Sequence, residues 1–539
     1  MTQKDKIIFA SFMSVALTAI SVFGYLWFFK GGMAHNFYGP WHFLDIVIFI
    51  MVSYVIWHPI FMKVVTYTIS SHIKPQPEES PRPKPGSKVA FVTTFVPASE
   101  SVDLLHKTLP AMVRANYAHD TWLLDEGDDE EVRIICKRYG VKHFSRHGIP
   151  DYNQDKGKFA KKTKGGNHNS WYNSHGDEYD FVAQIDTDFI PRKDFLTKTL
   201  GFFDDPLIAF VGTPQIYGNI DDSVIAHGSA QQTYSFYGPL LRGMSGQNNS
   251  MLIGANHVIR VKALKSVSHY SAHITEDLLT GMKLHSNGWN SIYYPYPLAI
   301  GEGPTSWKSY FSQQKRWAYG CMNILFGHSY RLFSKMTFRQ SIYYFCIQQH
   351  YFSGLVMVLG IVSLCLYFYA GIISVNLSIF EFLGSYIVLI LLFNCIDLWL
   401  QRFNARPKTE RGFMWYGMYI GVAAWPIYFQ AFLALFNTTK LRYKVTPKGK
   451  KIKSNDMALS LFAPHFILGA IALSGAVSSL FTGRTAILMV FWSIVTGLGL
   501  LIVPVLPHLI RISRRLFNKK AYISSTLAGD EPVKSKQIL

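Results

Sequence analysis

The chain has 539 residues, of which 49% are hydrophobic and 15% aromatic, and its formal net charge is +19. This length accommodates a full catalytic domain beside a membrane domain, and the basic balance points to anionic lipid or nucleotide phosphate as partners. No RNA- or DNA-binding motif occurs, so we expect no nucleic-acid partner. The five cysteines show no CxxC and no metal-ligand spacing, so we expect no disulfide framework and a soluble part in a reducing compartment.

Several apolar runs are long enough to cross a bilayer, for which about 20 residues are needed. The first run is too long for the apolar region of a signal peptide, and a second run follows it. The candidate spans are residues 7–29, 44–67, 342–370, 382–400, 414–436, 457–480 and 486–510.

The basic loops indicate which runs cross, because cytoplasmic loops carry an excess of Lys and Arg. The most basic loop, 440–453, would lie outside if the run 414–436 crossed the bilayer. We therefore predict six crossings and both termini in the cytoplasm. The run 414–436 is predicted to lie on the surface or to be re-entrant, with a break near Pro426.

A soluble region follows the Pro-rich linker 71–87 and shows apolar strands alternating with amphipathic helices. Strands are predicted at 89–96, 121–124, 180–185, 210–215 and 251–258. Alternating strands and helices indicate an α/β domain with a largely parallel sheet. Ligands bind beyond the carboxyl ends of strands in such sheets, and Asp125 stands at one of these ends.

Asp186 and Asp188 follow the strand 180–185 directly. Two carboxylates on alternate residues at a strand end can hold a hard divalent cation that bridges a diphosphate. The alternative is a solvated turn. Lys164 ends the basic stretch KGKFAKKTK and is followed by two glycines, which suggests a phosphate-facing loop; the alternative is a solvated surface run.

Two further stretches offer groups for transfer chemistry. Glu276 and Asp277 open a predicted helix, either as acids that complement the helix dipole or with one of them as a general base. Residues 306–320 form a predicted helix with Gln313, Arg316 and Trp317 on one face. That face could hold an anionic leaving group beside a stacked sugar, and the alternative is an amphipathic helix resting on a membrane.

Taken together, these motifs resemble processive family 2 glycosyltransferases, whose D, DxD, TED and QxxRW series they repeat in order. The segment 443–449, YKVTPKG, is similar to the FxVTxKG gating loop of cellulose synthases, which hyaluronan and chitin synthases do not share. The resemblance is therefore to cellulose synthase-like β-glucan synthases of the cellulose, curdlan and mixed-linkage group. The residues that carry it are Asp125, Asp186, Asp188, Thr275, Glu276, Asp277, Gln313, Arg316 and Trp317, with Lys164 to Asn167 matching a KAGN-type segment.

The resemblance implies a Rossmann-like GT-A catalytic domain inserted in an all-α multi-pass membrane domain. It also implies an inverting transfer of glucose from UDP-glucose to a growing β-glucan, with Mg²⁺ or Mn²⁺ as cofactor. The resemblance implies metal binding by Asp188 and Asp186, and base catalysis by Asp277 beside Glu276. It implies that Gln313 and Trp317 bind the acceptor. The residues implied to bind the nucleotide are Asp125, Glu126, Lys164, Asp186, Arg316, Thr446 and Lys448.

The same resemblance places the catalytic domain on the cytoplasmic face of a bacterial inner membrane, with a periplasmic export partner as one further expectation. Open alternatives are a hyaluronan- or chitin-type synthase, a non-processive transferase that acts on a lipid-linked acceptor, and an export protein without catalysis. The predicted regions are 1–70 (two spans), 71–87 (linker), 88–303 (catalytic domain), 304–338 (interfacial helices), 339–510 (channel, with surface helix 413–437 and gating loop 440–453) and 511–539 (basic tail).

Overall fold

The computed structural model describes residues 1–75, 80–97, 99–437 and 459–506. The chain begins with two long apolar helices, and the first is capped by the side chain of Thr2. The predicted gating loop 440–453, with Thr446 and Lys448, and the tail 511–539 lie outside the described residues. The first two helices are α1 (Gln3–Tyr25) and α2 (Phe43–Ser70).

Strands after the linker form a seven-stranded mixed sheet in the order β3-β2-β1-β4-β8-β6-β9 and a small sheet in the order β5-β10-β7. In the large sheet β8 alone runs antiparallel to its neighbours, among the described residues. The strands are β1 (Val89–Phe95), β2 (Asp120–Asp125), β3 (Lys142–Phe144), β4 (Phe181–Asp186), β5 (Ile190–Pro191), β6 (Ile208–Gly212), β7 (Ile216–Tyr217), β8 (His257–Arg260), β9 (Asn290–Tyr293) and β10 (Ala299–Gly301).

Both faces of the large sheet are buried, which is why its central strands are almost continuously apolar. Phe91 of β1 packs in the core on one face, and the next residue, Val92, packs in the core on the other. The register aligns Asp125 with Phe95 and Asp186 with Thr94. The acidic ends of β2 and β4 therefore lie on either side of the end of β1.

Ten helices surround these sheets and connect them to the membrane segments. They are α3 (Leu105–Val113), α4 (Glu130–Tyr139), α5 (Lys164–His175), α6 (Phe195–Thr199), α7 (Val224–Ser235), α8 (Leu241–Ser245), α9 (Val261–Ser266), α10 (Glu276–Ser286), α11 (Trp307–Ile324) and α12 (Tyr330–Phe333), as far as the described residues show.

The predicted helix 306–320 is confirmed as α11, which Ser306 caps through a reciprocal bond with Ser309. Two other predictions are wrong. Lys164 is the first residue of a helix and does not lie in a loop. The Thr163 hydroxyl caps this helix by accepting a hydrogen bond from the backbone N–H of Gly166. The strand predicted at 251–258 begins only at His257, because the Gly254 carbonyl accepts hydrogen bonds from side chains and not from a neighbouring strand.

The described residues contain seven helical segments long and apolar enough to cross a membrane, one in each predicted run. After α12 the helices are α13 (Phe338–Gln349), α14 (Ser353–Ala370), α15 (Ile379–Leu400), α16 (Trp415–Ala423), α17 (Trp425–Leu433), α18 (Ala463–Thr482) and α19 (Ile487–Leu506). The predicted break near Pro426 is confirmed, since α16 ends and α17 begins on either side of Ala424.

Contacts divide the chain into two compact units. The larger contains α1 to α13, both sheets and α15 to α17. In this unit α16 packs on α7, where a Cβ on Gly228 would come within 2.6 Å of the Tyr416 carbonyl oxygen. The segment α17 packs on α11 through a hydrogen bond of 2.8 Å from the Tyr428 hydroxyl to Gln314. The smaller unit contains α18 and α19, which approach closely at Gly469 and Gly497.

Candidate active site

Most of the predicted site residues line one cavity of about 1310 Å³. This cavity lies beyond the carboxyl ends of β1 and β4, where the sheet topology leaves room for a ligand. The predicted residues that line it are Glu126, Lys164, Asp186, Asp188, Glu276, Asp277, Gln313, Arg316 and Trp317.

Lys164 is held at the centre of this cavity by two short contacts. Its Nζ lies 2.5 Å from Asp186 Oδ1 and 2.5 Å from the carbonyl oxygen of Gly254. Gly254 is close to the acid pair as well, because a Cβ there would come within 3.2 Å of Asp277 Oδ2. The absence of a side chain at Gly254 thus allows a cation and a carboxylate to approach the same backbone position.

Glu276 and Asp277 occupy the first turn of α10, where Glu276 is buried and Asp277 is partly buried. Burial, together with the neighbouring charge of Asp277, raises the pKa of Glu276 to about 7. Burial also raises the pKa of Asp277, while the charges of Lys164 and Arg316 act in the opposite direction. A carboxylate with a raised pKa, in a cavity, is suited to accept a proton near neutral pH.

Asp125 lies apart from the cavity wall. Its side chain is completely buried and accepts hydrogen bonds from the backbone N–H groups of Gly127 at 2.9 Å and Asp129 at 2.8 Å. His143 Nε2 lies 3.3 Å from the same carboxylate. Asp125 therefore shapes the turn that presents Glu126 to the cavity, and a direct contact between Asp125 and a nucleotide stays a prediction.

The chemistry of the carboxylates fits a divalent cation. Asp186 and Asp188 supply the oxygen ligands that Mg²⁺ and Mn²⁺ prefer, and both side chains line the cavity. One Asp186 oxygen is already engaged by Lys164, which makes Asp188 the better placed direct ligand. Asp188 is only 4% exposed, so a cation bound there would be shielded from bulk water.

The cavity continues from the helix face of α11 toward the membrane segments. Beyond Trp317 it is lined by Tyr351 and by Tyr428 of α17. Further along, it reaches Lys63 of α2 and Asp397 of α15, which form an ion pair. A single continuous space thus joins the carboxylates to side chains on apolar helices.

Two polar residues that support the site, Arg146 and His273, carry no signal in the sequence. Arg146 is fully buried and donates to both Glu126 carboxylate oxygens, at 2.7 and 3.0 Å. It also donates to the carbonyls of Tyr152, Ala160 and Thr163, and so fixes the segment before α5. An isolated arginine with partners this distant in sequence has no local pattern by which it could be found.

His273 joins the acid-bearing turn to α11. Its Nδ1 accepts the backbone N–H of Thr275 at 3.2 Å, so Nε2 carries the proton and donates to Asn323 Oδ1 at 3.0 Å. Close packing reinforces this link, because a Cβ on Gly320 would come within 2.4 Å of the Thr275 side chain. His273 therefore helps to set the position of Asp277 relative to the helix that bears Trp317.

We expect His273→Ala to lower kcat about tenfold, equivalent to ~1.4 kcal/mol, because the hydrogen bonds that link Thr275 to Asn323 through the imidazole are lost. The KM for the molecule that occupies the cavity should change little, since His273 does not line the cavity. The matched variant His273→Gln retains a donor near the Nε2 position and should recover part of the rate. Steady-state kinetics test this, and an alanine variant with the wild-type kcat would contradict the positioning role.

The mixed sheet and the carboxylate pair at the end of β4 agree with the GT-A type of glycosyltransferase fold that the sequence motifs resemble. Residues 181–428 match the family model described as glycosyl transferase family group 2. This match covers just under half of the chain, and the described residues on both sides of it include helices long and apolar enough to cross a membrane.

Its curated relatives include cellulose synthase catalytic subunits described as UDP-forming. The chain is 27% identical to that of Pseudomonas fluorescens over 415 residues, which cover 75% of this chain and 52% of the relative. It is 26% identical to that of Xanthomonas axonopodis pv. citri, covering 66% of this chain and 47% of the relative. The chain thus spans about half the length of the curated relatives it matches.

Among solved structures, the chain is similar to a mannosyltransferase from Pyrobaculum calidifontis in complex with GDP-Man and Mn²⁺. The TM-score is 0.47 and the identity is 11%, and the match covers 73% of this chain and 99% of that one.

Proposed function

We propose that this protein is a processive, inverting glycosyltransferase. It transfers glucose from UDP-glucose to the end of a growing β-glucan and moves the product across the plasma membrane. The observation that carries the proposal is the single cavity that contains Asp188, Asp277 and Trp317 and continues to the apolar helices. The cellulose synthase relatives support UDP-glucose as donor and a β-linked glucan as product.

In the proposed reaction, an acceptor hydroxyl oxygen attacks the anomeric carbon of the donor from the face opposite UDP. A new C–O bond forms, the bond between the anomeric carbon and the diphosphate breaks, and the hydroxyl proton passes to the Asp277 carboxylate. The cations of Lys164 and Arg316 stabilise the negative charge that develops on the departing diphosphate. The buried site excludes bulk water and so limits hydrolysis of the donor.

A bound Mg²⁺ or Mn²⁺ would supply further neutralisation of the diphosphate, and Asp186 and Asp188 are the residues that would hold it. Glu126, fixed by Arg146, would contact the nucleoside part together with Asp125. Gln313 and Trp317 would hold the acceptor, because the apolar face of a sugar suits an aromatic ring and its hydroxyl groups suit an amide.

The packing of two helices supports the membrane topology that we propose. Both α16 and α17 lie against helices of the catalytic domain, α7 and α11, which supports a surface position for this segment. Six crossings then remain, and the catalytic domain and both termini face the cytoplasm of an inner membrane. The proposed path for the polymer begins at Trp317 and passes between the apolar helices.

Incubation of the purified full chain with labelled UDP-glucose tests the function directly. We expect UDP release and a polymer that linkage-specific glucanases digest, and the digestion pattern assigns a β-1,4, β-1,3 or mixed linkage. UDP-N-acetylglucosamine and UDP-glucuronate serve as competing donors. Polymer formed from those donors instead would favour a hyaluronan- or chitin-type synthase, and transfer of one sugar to a lipid would favour a non-processive transferase.

The rate of UDP release should fall as the pH is lowered from about 8 to about 5. Asp277 must be ionised to accept a proton, and burial raises its pKa above the ordinary value of 3.8. Burial and the charge of Asp277 also raise the pKa of the neighbouring Glu276, so both acids gain protons at a higher pH than free carboxyl groups do. Initial rates measured with saturating donor check this, with UDP affinity followed over the same range. A rate that stays constant down to about pH 5 would contradict the assignment.

A further inference from the structure

The hairpin between α1 and α2, together with the first turn of α2, contains a cluster of metal-ligating side chains separate from the active site. His35, His42 and Asp45 each place a ligand atom within 4.8 Å of the others. Because α2 runs for 28 residues from this hairpin to the linker, the cluster lies at the membrane end remote from the catalytic domain. None of these residues has a part in the proposed transfer reaction.

The spacing of two ligand atoms matches a tetrahedral ion. His42 Nδ1 lies 3.3 Å from Asp45 Oδ2. Two ligands bound at about 2.0–2.1 Å to a tetrahedral zinc ion are separated by about 3.3 Å. The His35 ring stacks on the His42 ring with a centroid distance of 5.2 Å, and its exposed position allows it to turn toward the same point.

Hydrogen bonds from neighbouring residues fix the orientation of the Asp45 carboxylate. Asp45 is 1% exposed, and its Oδ1 accepts the backbone N–H of Asn36 at 3.0 Å and the side-chain amide of Asn36 at 2.9 Å. Asp45 Oδ2 accepts the N–H of Phe37 at 3.2 Å. Hydrogen bonds of this kind fix ligating carboxylates in metal sites, and they hold Oδ2 toward the histidines.

The loop that carries His35 is held by contacts with a second loop, between α14 and α15. Asn36 donates to the carbonyl of Ile373 at 2.7 Å and accepts its N–H at 2.8 Å. Met33 forms an antiparallel bridge with Val375. The backbone that carries His35 is therefore tied to a second loop, which reduces the conformational freedom that metal binding would otherwise have to restrict.

We propose that His35, His42 and Asp45 form a binding site for a divalent transition-metal ion of the zinc class, with water in the fourth position. Two imidazoles and one carboxylate are a ligand set that zinc accepts with one open position. The bound ion would cross-link the loop after α1 to the first turn of α2. This site is independent of the transfer reaction and of its Mg²⁺ or Mn²⁺.

Equilibrium dialysis with Zn²⁺ tests the proposal on the full chain in detergent, after chelation and in excess Mg²⁺ so that the Asp186 and Asp188 carboxylates are occupied. We expect one tightly bound Zn²⁺ per chain. His35→Asn, which removes an exposed ring and should leave the fold intact, and His42→Asn should each weaken that binding by at least about tenfold. Cobalt(II) should give the visible absorption typical of tetrahedral coordination, and both variants should lose it.

The matched control is His143→Asn, because Asp125, Asp128 and His143 are the other group among the described residues with ligand atoms this close. The control should bind Zn²⁺ like the wild type. Absence of tight binding, binding that survives both hairpin variants, or loss of binding only in His143→Asn would each overturn the proposal.

Discussion

Asp277→Asn should abolish sugar transfer, with a fall in rate of about 10²–10⁴-fold. Asparagine keeps the shape of the side chain but cannot accept the proton of the attacking hydroxyl. UDP affinity should stay the same or rise, since the change removes a negative charge beside Lys164 and Arg316. Single-turnover transfer and UDP binding, measured on the same preparation, separate these two effects.

Glu276→Gln is the matched control, because Glu276 is the adjacent buried acid and its side chain packs against Gly165 at the start of α5. We expect this variant to keep a larger share of the rate than Asp277→Asn. Near-normal synthesis by Asp277→Asn, or a greater loss in the Glu276→Gln variant, would remove Asp277 from the role of base.

Asp188→Asn should lower transfer by about 10²–10³-fold, comparable to the loss of one preorganised electrostatic group. Asp188 lies two residues beyond the end of β4 and is buried in the cavity wall, so its charge acts at low dielectric. Chelation of the wild type should cause a similar loss that added Mn²⁺ or Mg²⁺ reverses. The same addition should not restore Asp188→Asn.

Asp186→Asn provides the comparison within the pair. It removes a carboxylate that would hold the cation on the diphosphate and that also positions Lys164, so we expect weaker UDP binding as well as a lower rate. Full activity of the chelated wild type, or rescue of Asp188→Asn by added metal, would show that Asp188 does not hold a cation.

The site could be predicted where its residues sit on elements with strong local signals. An apolar strand followed by Asp186 and Asp188, and an amphipathic helix bearing Gln313, Arg316 and Trp317, show their structure in their own spacing. Parallel pairing then brings the acidic strand ends to one edge of the sheet. The common cavity follows from these few local features.

Other parts of the site depend on contacts between segments distant in sequence. His273 and Asn323 are 50 residues apart, and no periodicity links them. Arg146 is buried only because several backbone carbonyls and Glu126 converge on it. Asp125 stands at a strand end, as predicted, but its carboxylate accepts hydrogen bonds from backbone N–H groups of the turn that follows.

Local patterns also failed where side chains replace backbone partners. The stretch before His257 is apolar enough for a strand, yet Lys164 and Gln184 bind the Gly254 carbonyl that a strand ladder would use. The two glycines after Lys164 disfavour a helix, and the cap from Thr163 nevertheless starts one. With these differences, Lys164 and Asp277 both approach the backbone at Gly254.

A glucanase-protection assay on sealed vesicles tests most directly whether synthesis and export of the polymer are one event. The full chain is placed in inverted membrane vesicles with the catalytic domain outside, and labelled UDP-glucose and then β-glucanases are added without detergent. The proposed function predicts a labelled polymer that resists digestion until detergent opens the vesicles. Product that is digested completely outside, or that consists of single transferred sugars, would contradict it.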